Sequence, residues 1–78
     1  MIALIAAVWR DVLGTGRIDD ETDFFDAGGH SLAAIKIVSR LEAEYDIEIP
    51  VYLLFDHPTF ADFRLAVEDL LDSVEGVA

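Results

Sequence analysis

One serine in this 78-residue sequence follows two glycines and opens a run with helical periodicity. Ser31 therefore lies at the first turn of a predicted helix, where backbone N–H groups lack partners and the helix dipole is positive. Both features favour a phosphate that is bound or attached there. Gly28 and Gly29 have no Cβ, so the active site of another protein can approach the hydroxyl closely. The pattern indicates a serine open to modification, although serine is also a common N-cap.

The helix that positions this serine is predicted over residues 31–45. Its apolar residues recur at offsets of three and four and form one inward stripe, made of Ala34, Ile37, Val38, Leu41 and Tyr45. At 100° per residue, Leu32 and Ile35 project well away from this stripe, beside Lys36 and Ser39. The sequence therefore predicts an exposed, partly apolar face next to Ser31.

Three more helices are predicted to pack against it. The first covers residues 2–13 and ends at Gly14, a short third helix runs from Pro50 to Phe55, and a fourth runs from residue 60 to about 71. Their expected inward residues are, in chain order, Ile2, Ile5, Trp9, Val12, Leu13, Val51, Leu54, Phe55, Phe60, Phe63, Val67, Leu70 and Leu71. We therefore predict an all-α four-helix bundle, three long helices and one short, in a single domain 1–78 whose ordered part is about 2–72, followed by a fraying tail.

Residues 15–30 form a long connection before the serine. A connection of this length in so small a domain is usually functional or held by its own apolar residues. We expect Ile18, Phe24 and Phe25 to hold it, with Phe25 the more buried ring beneath the two glycines. The acidic run from Asp19 to Asp23 lacks the ligand spacing and central glycine of an EF-hand, so it predicts a solvated loop.

Composition excludes several classes of function. The formal net charge is −11, from 16 acidic and 5 basic residues, which argues against nucleic acid and anionic membranes and suits a partner with a basic patch. The chain has no cysteine, and its two histidines lack a third ligand nearby, so no metal site is predicted. No apolar run approaches the roughly 20 residues that span a bilayer, and no signal peptide is recognisable. A cytoplasmic location is expected.

A hydrolase would need more than the sequence offers. Residues 29–33 also fit the nucleophile elbow G-x-S-x-A, but that turn requires a preceding strand, a sheet, and a later histidine and acid. Residues 26–28 do not predict a strand, and only His57 follows, in a predicted turn. His30 is adjacent to Ser31, and neighbours at a helix start rarely have the geometry of a base and its nucleophile. No catalytic residue is predicted.

The stretch Asp23-Phe24-Phe25-Asp26-Ala27-Gly28-Gly29-His30-Ser31-Leu32 resembles the phosphopantetheine attachment motif of carrier domains. It is most similar to the peptidyl carrier, or thiolation, domains of nonribosomal peptide synthesis. Residues 8–14 resemble the first helix of that family and its end, and residues 54–59 resemble its third helix and the following turn. The resemblance implies a bundle of the acyl carrier protein type with 4′-phosphopantetheine, derived from coenzyme A, on Ser31.

The same resemblance implies a non-catalytic, monomeric carrier of aminoacyl or peptidyl thioesters, as in antibiotic biosynthesis. Its partners would be a phosphopantetheinyl transferase and adenylation, condensation or other tailoring enzymes. In the family the second helix and the loop before it form the main docking surface. The resemblance therefore implies that Gly29, His30, Leu32, Ile35, Lys36 and Ser39 bind partners.

Two alternatives remain open at the level of sequence. The first is an acyl carrier for polyketide or fatty acid synthesis, which the high acidity favours and His30 disfavours, because aspartate is usual at that position in those carriers. The second is an unmodified helical module that docks through its second helix. Because Met1 lies directly against the first helix, and the chain is unusually acidic, we expect a free-standing carrier that works in trans rather than a domain excised from a synthetase.

Overall fold

The computed structural model describes residues 2–77 of the chain, with side chains described for residues 3–73. These residues form four helices, α1 Ile2–Leu13, α2 Ser31–Tyr45, α3 Tyr52–Asp56 and α4 Phe60–Val77. Apart from one isolated bridge between Asp23 and Thr59, this part of the chain contains no strand pairing. The predicted all-α bundle of three long helices and one short helix is confirmed. None of the described helices is both long and apolar enough to cross a membrane.

Local backbone signals set the ends of the helices. Gly14 has a φ of 70° and donates its N–H to the Arg10 carbonyl at 2.9 Å, so α1 ends where predicted. Asp46 ends α2 in the left-handed conformation, with a φ of 55°, which short polar residues tolerate better than most others do. α3 begins after a turn in which the Pro50 carbonyl accepts the N–H of Leu53 at 3.0 Å, so its start is later than predicted.

The fourth helix is longer than predicted. It continues to Val77, beyond the expected end at Leu71. Residues 72–75 include neither glycine nor proline, so nothing in the local sequence interrupts the helix there. The predicted end of the helix at Leu71 is therefore wrong, since the described backbone is helical to Val77, whereas the fraying tail stays a prediction; Ala78 lies outside the described residues.

The core is built around Trp9, whose side chain is fully buried. Its indole ring packs edge-on against Phe24 and Phe60, with centroids 5.9 and 5.2 Å apart, and at a tilt against Phe63 at 5.7 Å. Such aromatic pairs are stabilising beyond the area that they bury. The cluster joins α1, the long connection and α4 in one contact. Among the side chains that the structure describes, the buried ones are Ile5, Ala6, Val8, Trp9, Phe24, Ala33, Ala34, Ile37, Val38, Leu41, Ile49, Leu54, Phe60, Phe63 and Val67.

The helical stripes predicted for α1, α2 and α4 are confirmed wherever side chains are described. Most of their members are buried, and the rest pack against the core while partly exposed, namely Val12, Leu13, Tyr45, Leu70 and Leu71. The side chain of Ile2, also assigned to the α1 stripe, lies outside the described residues. Val8, Ala33 and Ile49 are buried although no predicted stripe included them.

Three predicted core residues are instead on the surface. Phe25 is 47% exposed, and Val51 and Phe55 are each 37% exposed. Two adjacent residues in a turn project in different directions, and the buried position belongs to Phe24, which is 0% exposed. α3 has only five residues and therefore offers one fully buried position, which Leu54 fills.

The contrast between two positions on α2 tests this assignment of faces. Leu41 is fully buried, whereas Ile35 is 51% exposed. We expect Leu41→Ala to lower the free energy of unfolding by about 2–5 kcal/mol, because it removes buried methyl groups and leaves a cavity. Ile35→Ala should change it by less than about 0.5 kcal/mol. Urea unfolding followed by circular dichroism measures both values, and equal losses would contradict the assignment.

Candidate functional site

Ser31 is the first residue of α2 and its side chain is exposed. The N-cap position belongs to His30, whose backbone is extended and whose side chain makes no capping hydrogen bond. The His30 carbonyl accepts the N–H of Ala34 at 2.9 Å, so the N–H groups before Ala34 precede the first intrahelical bond. The serine is therefore not the cap of the helix. Its hydroxyl lies at the positive end of the α2 dipole, where an attached phosphate is stabilised.

The connection that presents Ser31 is a compact turn built on Asp23. One carboxylate oxygen of Asp23 accepts the backbone N–H groups of Phe25 and Asp26, at 2.9 and 3.1 Å. The Asp23 carbonyl accepts the N–H of Ala27 at 2.9 Å. Gly28 then takes a φ of 96°, a conformation that L side chains rarely adopt. The sequence Asp23 to Gly28 thus folds locally, and it reverses the chain just before the helix.

Gly29 has a different physical role from Gly28. A Cβ built at this position would lie 2.5 Å from the ring carbons Cε1 and Cζ of Phe24. The phenyl ring therefore packs directly on the backbone of Gly29, and the Phe24 carbonyl accepts the Gly29 N–H at 2.9 Å. The ring is fully buried in the aromatic cluster, so it has little room to move away. Phe24, and not the predicted Phe25, supports the turn.

Backbone hydrogen bonds attach this turn and the residues before it to Pro58 and to the first residues of α4. Phe24 donates its N–H to the Pro58 carbonyl at 2.7 Å, and Phe60 donates to the Thr22 carbonyl at 2.8 Å. Ala61 donates to the Asp20 carbonyl at 3.1 Å. These bonds join residues far apart in sequence, and backbone groups carry no residue-type signal. Sequence reasoning missed them for that reason.

The acidic run next to this turn folds on itself. One carboxylate oxygen of Asp19 accepts the Glu21 N–H at 3.0 Å and the Thr22 hydroxyl at 3.2 Å. The part of the chain that the structure describes contains no group of three or more histidine or acidic side chains able to hold a metal ion. The Asp19 carboxylate is therefore used as a turn acceptor.

The six residues predicted to bind partners all lie at or near the surface. Leu32 and Ile35 are 55% and 51% exposed, and His30, Lys36 and Ser39 are exposed as well, whereas Gly29 is half-buried under the turn. The structure adds a feature that the sequence did not predict, a groove of about 420 Å³ between α1 and α2. The groove is lined by Asp11, Val12, Ile35, Lys36, Ser39 and Arg40. Three of these, Ile35, Lys36 and Ser39, are among the six residues predicted to bind partners. An exposed ion pair between Arg40 and Asp11, at 3.3 Å, lies in the same groove.

A model of the phosphopantetheine attachment site family matches residues 3–67, most of the chain. The chain belongs to this family of carrier domains. Among solved structures, a type-II acyl-carrier-protein from Streptomyces verticillus, BlmI, involved in bleomycin biosynthesis, superposes with a TM-score of 0.84 at 34% identity, covering 90% of this chain and 84% of that one. A peptidyl carrier protein in complex with the phosphopantetheine transferase Sfp and coenzyme A superposes at 0.80 and 32% identity, covering 87% and 88%.

Curated relatives of this carrier domain are much longer proteins. Phosphinothricin tripeptide synthetase PhsB of Streptomyces viridochromogenes is 40% identical over 63 residues, which are 81% of this chain and 5% of the synthetase. Tyrocidine synthase 3 of Brevibacillus parabrevis is 43% identical over 60 residues, 77% of this chain and 1% of that protein. The comparisons confirm the predicted family, its fold and covalent phosphopantetheine as the cofactor, and they support the predicted carrier role in nonribosomal peptide synthesis.

The site of this carrier domain fits the cofactor on its own geometry. Phosphopantetheine needs a hydroxyl that an enzyme can reach, and Ser31 is exposed, two residues after Gly29, which carries no side chain. The phosphate that links the group gains from the free N–H groups of the first helical turn. No side chain of the preceding cap competes for those groups, because His30 makes no capping bond.

The contact between Gly29 and Phe24 generates a prediction. We expect Gly29→Ala to lower the free energy of unfolding by about 1–3 kcal/mol, because the new methyl group forces the buried ring to shift. Gly16→Ala is the matched control, since a Cβ at Gly16 meets nothing within 4 Å, and it should change stability by less than about 0.5 kcal/mol.

A double-mutant cycle separates the steric clash with the Phe24 ring from the other effects of replacing Gly29. In a Phe24→Leu background, which is itself destabilised, the added cost of Gly29→Ala should shrink by about 0.5 kcal/mol or more, because the smaller side chain leaves room for the methyl group. Urea unfolding of the four proteins gives the coupling energy. A coupling of zero would show that the ring does not restrict this position.

Proposed function

We propose that Ser31 carries 4′-phosphopantetheine and that the domain presents aminoacyl or peptidyl thioesters to partner enzymes of nonribosomal peptide synthesis. The observation that carries the proposal is the exposed hydroxyl of Ser31 at the start of α2, presented by the turn over Gly28 and Gly29. When attached, the group supplies a terminal thiol that holds an acyl group as a thioester. The chain's own contribution is the anchoring oxygen, the helix dipole and the docking surface.

The proposed role is that of a carrier without catalytic residues. In the described part of the chain the Ser31 hydroxyl has no hydrogen-bonded base, and His30 holds the cap position with an extended backbone. A transferase would therefore supply the base that takes the proton from Ser31. Bond formation to and from the acyl group would likewise fall to the partner enzymes.

The proposed partners are a phosphopantetheinyl transferase and adenylation, condensation or other tailoring enzymes, which meet a monomeric carrier. One matching structure places a peptidyl carrier protein with a transferase, and another, McyG A-PCP, was solved with phenylalanyl-adenylate. We assign docking to Gly29, His30, Leu32, Ile35, Lys36 and Ser39. Leu32 and Ile35, exposed apolar residues that follow the serine on α2, support that assignment, because partner enzymes must contact the surface around the hydroxyl.

An acyl carrier for other acyl groups is the second candidate. Similarity to BlmI, described as an acyl-carrier-protein, and the net charge of −11 favour it. His30 favours the peptidyl class, because it matches the attachment motif of peptidyl carriers. Incubating the modified protein with adenylating enzymes of different amino acid specificities and with acyl-loading enzymes distinguishes the two, since only one class should transfer its substrate.

The attachment residue is tested by intact mass. After incubation with coenzyme A and a phosphopantetheinyl transferase of broad specificity, the wild-type protein should gain the mass of one phosphopantetheine group, and Ser31→Ala should gain none. Ser73→Ala, which removes an exposed hydroxyl of α4 away from the assigned docking residues, should be modified as the wild type is. A mass gain on Ser31→Ala would show that attachment occurs elsewhere.

The docking surface is tested with two apolar residues of equal exposure. Ile35 on α2 and Leu65 on α4 are 51% and 50% exposed. We expect Ile35→Asp to reduce the rate of acyl loading by about tenfold, because it places a charge in a contact that should be apolar. Leu65→Asp makes the same change of charge and should leave the rate within about twofold of wild type. Leu32→Ala should weaken loading in the same direction, and all three variants should melt near the wild-type temperature.

A further inference from the structure

The groove between α1 and α2 begins one helical turn after the attachment serine. Ser31, Ile35 and Ser39 are spaced by four residues and are all exposed, so their side chains form one row along α2. Ile35 and Ser39 line the groove of about 420 Å³, and Asp11 and Val12 line it from α1. A group that is attached to Ser31 and follows this row therefore enters the groove.

The length of the phosphopantetheine arm matches this path. Each residue of a helix advances by about 1.5 Å, so Ile35 and Ser39 lie about 6 and 12 Å from Ser31 along the axis of α2. The arm has about fourteen bonds between the serine oxygen and the thiol sulfur, and at about 1.2 Å per bond of an extended chain it spans about 17 Å. The thiol can therefore reach Arg40, the last α2 residue that lines the groove.

The lining suits a chain that carries both methyl and amide groups. Ile35, which is 51% exposed, and the partly buried Val12 offer apolar surface to the methyl and methylene carbons of the arm. The exposed hydroxyl of Ser39 and ammonium group of Lys36 can donate hydrogen bonds to its amide carbonyls. The volume of the groove also falls within the range of about 300–1,000 Å³ that is typical of sites for small organic molecules.

Charge and tethering favour the arm over other occupants. Asp11 pairs with Arg40 at 3.3 Å and so offsets one of the two cations in the lining, which leaves a surface that suits an uncharged chain. A second copy of this domain carries a net charge of −11 and is repelled by the first. A short covalent tether supplies an effective concentration of the order of 1 mM, so a groove with a dissociation constant of about 1 mM would hold the arm half of the time.

We propose that the groove between α1 and α2 is a resting site for the domain's own phosphopantetheine arm. The pantetheine amides lie along Ile35 and Ser39, and the thiol end points toward the ion pair that joins α1 and α2. The inference rests on the proposed function, because it requires the arm to be attached. The site shares Ile35, Lys36 and Ser39 with the proposed docking residues, so a partner that covers those residues excludes the arm from the groove and leaves it free to enter the active site of that partner.

The test uses NMR spectroscopy of the purified modified protein, with ¹³C and ¹⁵N in the chain and an unlabelled arm. An isotope-filtered NOE spectrum should show contacts from protons of the arm to the methyl groups of Ile35 and Val12. Val12 decides the question, because it lies on a different helix from Ser31 and an arm extended into solvent does not contact it. The backbone amide shifts of Asp11 and Val12 should also differ between the unmodified and modified protein, whereas that of Leu65 on α4 should not.

A matched pair of variants tests whether the groove itself holds the arm. Ser39→Phe fills the groove with a ring, so the NOE contact between the arm and Val12 should be lost. Ser73→Phe makes the same change at an exposed serine of α4 and should keep that contact. Both variants should melt near the wild-type temperature, because both serines are exposed.

The possible outcomes separate the groove from the function on which it rests. Wild-type protein that gains no mass with coenzyme A and a transferase would overturn the proposed function itself. Modified protein without an NOE between the arm and Val12 would overturn only the resting site, as would a contact that persists in Ser39→Phe. A mixture of labelled Ser31→Ala protein and unlabelled modified protein should show no such NOE; a contact there would assign the groove to the arm of a second copy and so overturn the proposal.

Discussion

The contact between the Phe24 ring and the Gly29 backbone is the constraint on which the rest of the site depends. The ring is part of the core through Trp9, and the glycine is two residues before the hydroxyl that the domain presents. The core therefore extends without a gap to within two residues of Ser31. The proposed attachment residue needs such support, because a hydroxyl on a mobile loop would be presented in many orientations and each productive encounter would lose entropy.

The sequence predicts the parts of this arrangement that depend on local pattern. The stripe of α2 follows from apolar residues at offsets of three and four, and the end of α1 follows from Gly14, whose positive φ suits the position after a helix. The choice between Phe24 and Phe25 does not follow, because both are phenylalanine and the turn directs one inward and the other outward. That choice is made by the bond from Phe24 to Pro58, which connects residues 34 positions apart in the chain. The end of α4 does not follow for a different reason, since residues 72–75 contain neither glycine nor proline and the helix extends beyond the residues that its core contacts require.

The domain has a large net negative charge and also exposes aromatic side chains, among them Phe25 and Tyr52. Two of the five cations are committed to ion pairs within the described residues, Arg40 with Asp11 and Arg64 with Glu68. Most carboxylates are therefore left facing solvent. Burial raises the pKa of the Tyr45 hydroxyl, and the negative charges of Glu44 and Glu68 raise it further. Such a field disfavours the association of like-charged copies, and it would oppose self-association through exposed rings such as Phe25 and Tyr52.

On the proposed function, the division of residues between core and surface would let one small domain meet several enzymes. Fifteen buried residues among the described side chains form one core, which fixes the turn and the start of α2. The residues around Ser31 that this core does not use are exposed and apolar on two sides, Leu32 and Ile35 on α2, and Phe25 and Phe55 on the loop and α3. Enzymes that approach the same hydroxyl from different directions would meet different apolar surfaces with different charges beside them. Lys36 follows Ile35 on the α2 surface, whereas Asp26 and Asp56 follow Phe25 and Phe55 in the sequence. Partner choice can therefore differ between the two sides of one attachment point without any change in the position of the serine.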